Sequence, residues 1–244
     1  MNIKLVPIEV RKTIRCLLMA DVDVKYLKKL IKNETPIIFD VGCYDGRDTL
    51  KLYKIFNDPK IYAFDADDRS IDLFESKIDK LPNIDLYKLA LSDVDGNIMF
   101  YKSNSETRKH YDNQKSWSAS SSIKKPDKHL EIFDDVSFDD GVAVSSSRLD
   151  TWMKTKDIDV IDLMWVDVNG GECEFLNGGE ETIINKVRYL YIEFSAVDEN
   201  KKLYENSWTK NDIVNFLPNF NVLGVYNFLG NFGNILLENR KFVL

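Results

Sequence analysis

The chain has 244 residues, of which 44% are hydrophobic and 30% charged, and its formal net charge is −7. These values are typical of a globular domain, and the acidic balance argues against a nucleic-acid backbone as the main partner, because such partners require a basic face. The sequence contains no apolar run long enough to cross a bilayer and no signal-peptide layout at its N-terminus. We therefore expect no membrane span and a cytoplasmic protein.

Cysteine and histidine are scarce. The three cysteines are widely separated, which predicts free thiols in a reducing compartment and not a disulfide framework. With only two histidines, His110 and His129, a histidine-rich metal site is excluded, and we assign no metal ligands.

Residues 1–35 carry a helical pattern without glycine. We predict one or two helices there, which cover a sheet edge or a substrate cleft and precede a main domain spanning residues 36–244.

The main domain opens with PIIFDVGCYDGRDTL at residues 36–50. Residues 37–39 predict a buried strand and residues 47–56 a helix, joined by a turn of the form D-x-G-x-x-x-G (Asp40, Gly42, Gly46). In an open α/β sheet such a turn lies at a ligand-binding edge. Tyr44 occupies the place of the second glycine of a dinucleotide fingerprint and would obstruct a pyrophosphate. Asp40 suits a cationic ligand such as a sulfonium or an amino group, although a turn without a ligand has the same pattern.

The second predicted strand, residues 60–65, ends in Asp65, 19 residues after Gly46. An acidic side chain at this place accepts hydrogen bonds from ribose hydroxyls in nucleotide-binding sheets. The alternative role, capping of the following helix, can be met by Asp67 or Asp68, so we favour the ribose role for Asp65.

The later elements continue the alternation of strands and helices. The predicted elements are a helix at 70–80, a strand at 84–91, a hairpin turn at 95–96 with 97–101 returning, a helix from 147, a strand at 160–166, a helix broken at 178–179, a strand at 188–194, a capped helix from 209, and strands at 222–226 and 234–238. This order predicts an α/β fold with a doubly wound, mostly parallel, seven-stranded sheet that ends in a C-terminal β-hairpin, the layout of the class I methyltransferase fold.

A polar segment, residues 102–145, interrupts this alternation and predicts an inserted lid or substrate loop, with a flexible surface loop as the alternative. Its most distinctive part is WSASSS at 117–122, where Trp117 offers an apolar face and the serines offer hydrogen bonds. His110 and His129 are candidate general bases here, although surface positions fit both better.

The motifs resemble the FkbM-type S-adenosylmethionine-dependent methyltransferases over residues 36–238. The similar pieces, in order, are IIFDVGCYDGRDTL at 37–50, IYAFDADDRSIDLFESKI at 61–78, LALSDVDGNIMF at 89–100, WSASSSI at 117–123, SSRLDTW at 146–152, IDLMWVDVNGGECEFLNGGEETI at 161–183 and YIEFS at 191–195. Three positions depart from the family pattern: Asp65 and Asn169 replace glutamates, and Trp165 replaces a common lysine. An amide at 169 can hydrogen-bond a substrate but supplies no carboxylate.

The resemblance implies S-adenosyl-L-methionine as cofactor, with Asp40, Gly42 and Gly46 at its methionine end, Asp65 at its ribose, and Ser92 and Asp93 near its adenine. The full predicted cofactor set is Asp40, Gly42, Cys43, Tyr44, Gly46, Asp65, Ala66, Ser92, Asp93 and Asp167. It also implies methylation of a hydroxyl on a small molecule, most specifically a sugar, a glycan or its nucleotide-linked precursor.

The general base is predicted first at Asp167, which ends the fourth strand, and then at Glu193 or His110. The predicted acceptor-binding residues are Trp117, Ser120, Ser121, Asn169 and Glu172. Glu172 also fits a structural anchor, and so does Asp167.

Three alternatives stay open at this point. They are a nicotinamide-dependent oxidoreductase, which Tyr44 and the glycine spacing oppose; a catalytically silent cofactor-binding partner, which Asn169 favours; and a metal-dependent methyltransferase in which Asp167, Asn169 and Glu193 surround a hard cation. The sequence leaves open the acceptor and the oligomeric state, a homo-oligomer included.

Overall fold

The computed structural model describes residues 21–78, 81–105, 107, 117–226 and 230–243. The strands are β1 (Ile37–Val41), β2 (Lys60–Asp65), β3 (Ile84–Lys88), β4 (Ala90–Leu91), β5 (Gly96–Phe100), β6 (Ser103–Asn104), β7 (Ser137–Phe138), β8 (Val142–Ser147), β9 (Ile161–Val166), β10 (Val187–Ser195), β11 (Phe220–Tyr226) and β12 (Phe232–Asn239). The α-helices are α1 (Val24–Leu30), α2 (Arg47–Ile55), α3 (Asp68–Ile78), α4 (His129–Ile132), α5 (Leu149–Met153), α6 (Glu172–Gly178), α7 (Glu180–Lys186) and α8 (Lys210–Phe216).

The central sheet has seven strands in the order β3-β2-β1-β9-β10-β12-β11. β12 runs antiparallel to both of its neighbours, whereas the pairs among β3, β2, β1, β9 and β10 are parallel. The predicted fold class and the C-terminal hairpin are therefore confirmed. Chain order reverses between the adjacent strands β1 and β9, which creates a crevice beyond their carboxyl ends.

Alternating residues of the central strands bury the two faces of this sheet. Phe39 and Met164 belong to one apolar cluster, and their chain neighbours Ile38 and Leu163 belong to the cluster on the other face. This two-residue period, with both faces apolar, is expected of central parallel strands covered by helices on each side.

Helix α1 contributes to the second cluster through Leu27, which is fully buried and packs in the same group as Trp165 and Tyr191. Asp23 caps the helix by accepting a hydrogen bond from the backbone N–H of Lys25 at 2.9 Å. The structure thus has a helix at residues 24–30, and this helix packs on a face of the sheet and not, as predicted, on a sheet edge or a substrate cleft. Residues 1–20 lie outside the described residues.

A second sheet, in the order β4-β8-β5, corrects the predicted hairpin at residues 95–96. β8 lies between the two strands that the hairpin would have joined, pairing parallel to β4 and antiparallel to β5. The carboxylate of Asp95 accepts hydrogen bonds from the backbone N–H of Arg148 at 2.9 Å and from the hydroxyl of Thr151 at 2.8 Å. Asp95 therefore anchors the start of α5, a distant partner that local turn preference does not reveal.

The described part of the polar segment is packed. Ser118, Ser120, Ser121 and Ser122 are buried, so this stretch is not an exposed loop. His129 is 2% exposed, among the rings of Phe133, Phe138 and Tyr204, and its predicted surface position is wrong.

Among the residues described, no helix combines the length and the apolar character needed to cross a membrane.

Candidate functional site

The glycine turn after β1 lies at the point where the chain order of the sheet reverses. Gly42 has a φ of 82°, and a Cβ built on it would lie 1.7 Å from the carbonyl oxygen of Asp167. The backbone N–H groups of Gly42 and Cys43 both donate to the carbonyl oxygen of Phe64, at 2.9 and 3.0 Å. Glycine at 42 therefore allows the ends of β1 and β9 to touch, and bare backbone lines the crevice.

Asp40 is buried beneath this turn and accepts a hydrogen bond from the hydroxyl of Thr49. Burial raises the pKa of Asp40 to about 8. A cationic group bound close by would favour the ionised form and lower this pKa.

Asp65 ends β2 and closes over the same turn. Its Oδ2 accepts a hydrogen bond from the backbone N–H of Tyr44, and its Oδ1 accepts one from that of Asp67, both at 2.8 Å. Desolvation raises the pKa of Asp65 to about 6 against the effect of these bonds. Asp67 provides the helix cap, since its Oδ1 accepts from the backbone N–H of Arg69 at 3.0 Å. Because a carboxylate has about four lone-pair sites, Asp65 can accept a further hydrogen bond from a ligand hydroxyl.

A cavity opens beside Asp65. Its polar end is formed by the glycine turn, and its apolar wall consists of Phe64, Ala66, Leu89, Ala90, Leu91, Phe100 and Ile123. A carboxylate at one end of an apolar slot fits a nucleoside, whose base is flat and whose ribose carries hydroxyl donors. We call this space the first cavity.

The predicted residues Ser92 and Asp93 flank this cavity without being among its lining residues. The Ser92 hydroxyl lies 2.7 Å from that of Ser146, and Asp93 is exposed. Within the apolar wall, Ala66 belongs to the predicted cofactor set, and the other wall residues were not predicted. Leu89, Ala90 and Leu91 belong to the strand predicted at 84–91, so their apolar character was visible in the sequence. Phe100 and Ile123 reach the site only through the second sheet and the serine-rich stretch.

A second cavity adjoins the first. Its own lining residues are Asp40, Cys43, Asp45, Arg47, Asp48, Trp117 and Trp165. The residues that line both cavities are Gly42, Tyr44, Ala119, Asp167 and Asn169. Within this lining, Asp45 is held by Lys77 at 2.7 Å and by Arg47 at 3.2 Å, so its charge is compensated. The second cavity is aromatic and acidic.

Asp167 stands where the two cavities meet. Its backbone N–H donates to the carbonyl oxygen of Val41 at 2.9 Å, which fixes the start of the loop, and the residue lines both cavities. Desolvation by the surrounding protein, followed by the negative charge of Asp48, raises the pKa of Asp167 to about 6. Above that pH its carboxylate can accept a proton from a bound group.

Glu172 and Glu193 lie together at a separate, small cavity, which is also lined by Tyr204. Glu172 is 1% exposed and accepts a hydrogen bond from the backbone N–H of Gly170 at 3.2 Å; burial raises its pKa to about 8. Burial, reinforced by the charges of Asp167 and Glu172, raises the pKa of Glu193 well above its ordinary value. The structure therefore separates these two carboxyl groups from the cavities that Asp167 lines.

In the described ranges, no group of three or more histidine, cysteine, aspartate or glutamate side chains could hold a metal ion. Of the other predicted site residues, His110 lies outside the residues described.

The predicted acceptor residues of the serine-rich stretch are engaged in internal hydrogen bonds. The Ser121 hydroxyl donates to Asp67 at 2.9 Å, and the Ser120 hydroxyl accepts from the indole N–H of Trp117 at 3.3 Å. Ser121 lines the first cavity, and Trp117 lines the second.

Comparison with known proteins gives one matching family model and several relatives. Residues 40–233 match the model described as the methyltransferase FkbM domain. The 2-O-methyltransferase NoeI of Sinorhizobium fredii is 31% identical over 217 residues, which cover 89% of this chain and 85% of that protein.

Two solved structures are also similar. A methyltransferase FkbM from Methylobacillus flagellatus is 13% identical with a TM-score of 0.49; the match covers 84% of this chain but 44% of that one, so this chain spans less than half of its length. An S-adenosylmethionine-dependent methyltransferase from Aquifex aeolicus is 16% identical with a TM-score of 0.46, over 96% of this chain and 98% of that one.

Proposed function

Because the chain belongs to the FkbM methyltransferase family and its cofactor is S-adenosylmethionine, we propose that it methylates a hydroxyl group of a sugar, a glycan or a nucleotide-linked sugar. One observation carries this proposal: Asp167 lies at the junction of a cavity with a carboxylate at one end and an apolar wall, and a second cavity that is aromatic and acidic. The similarity to a 2-O-methyltransferase supports oxygen as the methylated atom.

The first cavity fits the cofactor. Asp65 would accept hydrogen bonds from the ribose hydroxyls, the apolar wall around Phe64 and Leu91 would enclose the adenine, and the backbone at Gly42 would face the methionine end. When bound, S-adenosylmethionine supplies a methyl group on a positively charged sulfur. Asp40 and Asp167 would place carboxyl groups near that charge.

The second cavity fits a saccharide. Trp117 and Trp165 provide apolar ring surface, and the carboxyl groups of Asp48 and Asp167 provide acceptors for hydroxyl donors. Trp165 is held firmly, since its ring lies 4.2 Å from that of Tyr191 between centroids. A polyol acceptor needs this combination of ring surface and acceptors.

Asp167 is the proposed general base. With its pKa near 6, the carboxylate is ionised at neutral pH and is basic enough to take the proton of an acceptor hydroxyl. The walls formed by Ala119 and Asn169 would hold the acceptor beside it, so that the oxygen is aligned before the methyl group moves.

The test is transfer of a labelled methyl group from S-adenosylmethionine to a panel of free monosaccharides, oligosaccharides and nucleotide sugars, compared with a panel of amines. We expect labelled methyl ethers from a saccharide. The variant Asp167→Asn should lower the rate about 10²- to 10⁴-fold while binding S-adenosylhomocysteine as the wild type does.

The matched control is Asp159→Asn, an exposed carboxylate that precedes the opposite end of β9. It should retain the wild-type rate. Label on amines alone, or full activity of Asp167→Asn, would refute the proposal.

A further inference from the structure

Asn169 connects the loop after β9 to residues 117–123, which we call the serine segment. Its side-chain Nδ2 lies 3.3 Å from the carbonyl oxygen of Ala119 and 3.3 Å from that of Ser121, with the geometry of a hydrogen-bond donor to both. In return, the hydroxyl of Ser122 donates to the backbone carbonyl of Asn169 at 2.7 Å. One side chain thus holds two carbonyl groups of a neighbouring segment.

The carbonyl group of Ser120, which lies between those of Ala119 and Ser121 in the chain, accepts a hydrogen bond from a different side chain. Tyr204 is 3% exposed, and its hydroxyl donates to the carbonyl oxygen of Ser120 at 2.7 Å. Three consecutive carbonyl groups of the serine segment, those of residues 119–121, are therefore each paired with a side-chain donor. This fixes the course of the backbone at Ala119.

The position of Ala119 matters because it is one of the few residues that line both cavities. We propose that Asn169 is a positioning residue, which holds Ala119 at the junction of the cofactor and acceptor cavities through the two donor hydrogens of its amide. This inference does not depend on the acceptor being a sugar.

The two hydrogen bonds donated from position 169 require an amide side chain. An asparagine NH₂ carries two donor hydrogens, whereas an ionised carboxylate carries none and would face the carbonyl oxygens of Ala119 and Ser121 with like partial charge. Asn169 also adopts a φ of 52°, a left-handed conformation that asparagine tolerates better than most residues. The residue type thus suits both the backbone conformation and the donor role.

The experiment compares Asn169→Asp with the wild type by calorimetric titration with S-adenosylhomocysteine at pH 8 and pH 5.5, and by hydrogen exchange of the amides in residues 118–122. At pH 8 we expect the affinity of Asn169→Asp for S-adenosylhomocysteine to be about tenfold or more below that of the wild type, since two hydrogen bonds are lost. The amides of residues 118–122 should also exchange faster. At pH 5.5 the introduced carboxyl becomes partly protonated and regains one donor, because the nearby carbonyl oxygens raise its pKa. The deficit relative to wild type at the same pH should then shrink to about threefold or less.

Asn169→Gly is the second variant, because glycine adopts the same φ without strain and leaves the fold intact. It lacks any donor and adds no charge, so its affinity should also fall below that of the wild type at pH 8, and this deficit should stay the same at pH 5.5. Asn221→Asp, which adds the same charge at an exposed position on the edge strand β11, should behave as the wild type. Wild-type affinity and exchange in Asn169→Gly, or an equal deficit of Asn169→Asp at both pH values, would overturn the proposal.

Discussion

The carboxylate of Asp65 accepts a hydrogen bond from the backbone N–H of Tyr44 at 2.8 Å, which ties the end of β2 to the glycine turn after β1. Tyr44 has a φ of 50°, a left-handed conformation within this turn. The residue assigned to the ribose and the turn assigned to the methionine end therefore form one unit. A substitution in either should therefore change the affinity for the cofactor.

The first prediction concerns pH. Asp167 acts as a base in its ionised form, and its pKa is raised to about 6. Activity should therefore fall as the pH drops through about 6, by about tenfold per pH unit below it, and reach a plateau above it. The check is the pH profile of kcat/KM between pH 5 and 8.5, which follows the pKa values of the free enzyme; a flat profile in this range would exclude Asp167 as the base.

The second prediction concerns the acceptor. Trp117 lines only the second of the two adjoining cavities, so its ring should contact the acceptor and not the nucleoside. Trp117→Ala should raise the KM for the saccharide about 3- to 10-fold, the range expected for loss of one aromatic contact. Trp117→Phe should recover part of this loss. If Trp117→Ala instead weakens S-adenosylhomocysteine binding and leaves that KM unchanged, the second cavity is not the acceptor site.

The third prediction concerns a buried carboxyl group. The pKa of Glu172 is raised in the folded state from 4.5 to about 8, so the folded protein retains a proton that the unfolded chain releases between these values. Stability should fall as the pH rises through this window. Glu172→Gln keeps an oxygen acceptor for the N–H of Gly170 and cannot ionise, so at pH 8.5 its Tm should exceed that of wild type by about 2 °C or more.

At pH 5 the Tm values of Glu172→Gln and wild type should be close. Glu75→Gln, at an exposed position on α3, is the control and should show no such pH-dependent difference. A Tm advantage of Glu172→Gln that is equal at both pH values would show that the effect is packing and not ionisation.

The fourth prediction compares two adjacent glycines between α6 and α7. A Cβ on Gly178 would lie 1.8 Å from the carbonyl oxygen of Ser92, whereas a Cβ on Gly179 would first meet the flexible end of Leu149 at 2.8 Å. Gly178→Ala should therefore lower the free energy of unfolding by about 2–3 kcal/mol, and Gly179→Ala by clearly less. Urea denaturation of both variants measures this; equal losses would contradict the close approach of α6 to Ser92.

The parts of the site that follow from local sequence were predictable. The succession of a strand, a glycine turn and a helix predicted that Gly42 lies at the ligand-binding edge of the sheet. Asp65 was predicted at the same edge because it ends the next strand, and parallel strands end at a common edge. The mostly parallel, seven-stranded sheet with its C-terminal hairpin followed from the same alternation of elements, whereas its strand order was not predicted.

The remaining parts depend on contacts distant in sequence. The apolar wall needs Phe100 and Ile123, and β8 pairs with β5 across a long insertion, which overrides the hairpin signal at residues 95–96. Glu193 lies at a strand tip as predicted, yet its side chain shares a cavity with Glu172 and not with Asp167. The direction in which a strand-end side chain points depends on packing, which the spacing of residues does not encode.

The most direct test of the account is calorimetric titration of the protein with S-adenosylhomocysteine and with NAD, repeated for Asp65→Ala and for the exposed neighbour Asp68→Ala. The account predicts that wild type and Asp68→Ala bind S-adenosylhomocysteine and not NAD, and that Asp65→Ala weakens this binding about 10-fold or more because hydrogen bonds to a charged acceptor are lost. Unchanged affinity in Asp65→Ala, or binding of NAD in place of S-adenosylhomocysteine, would contradict it.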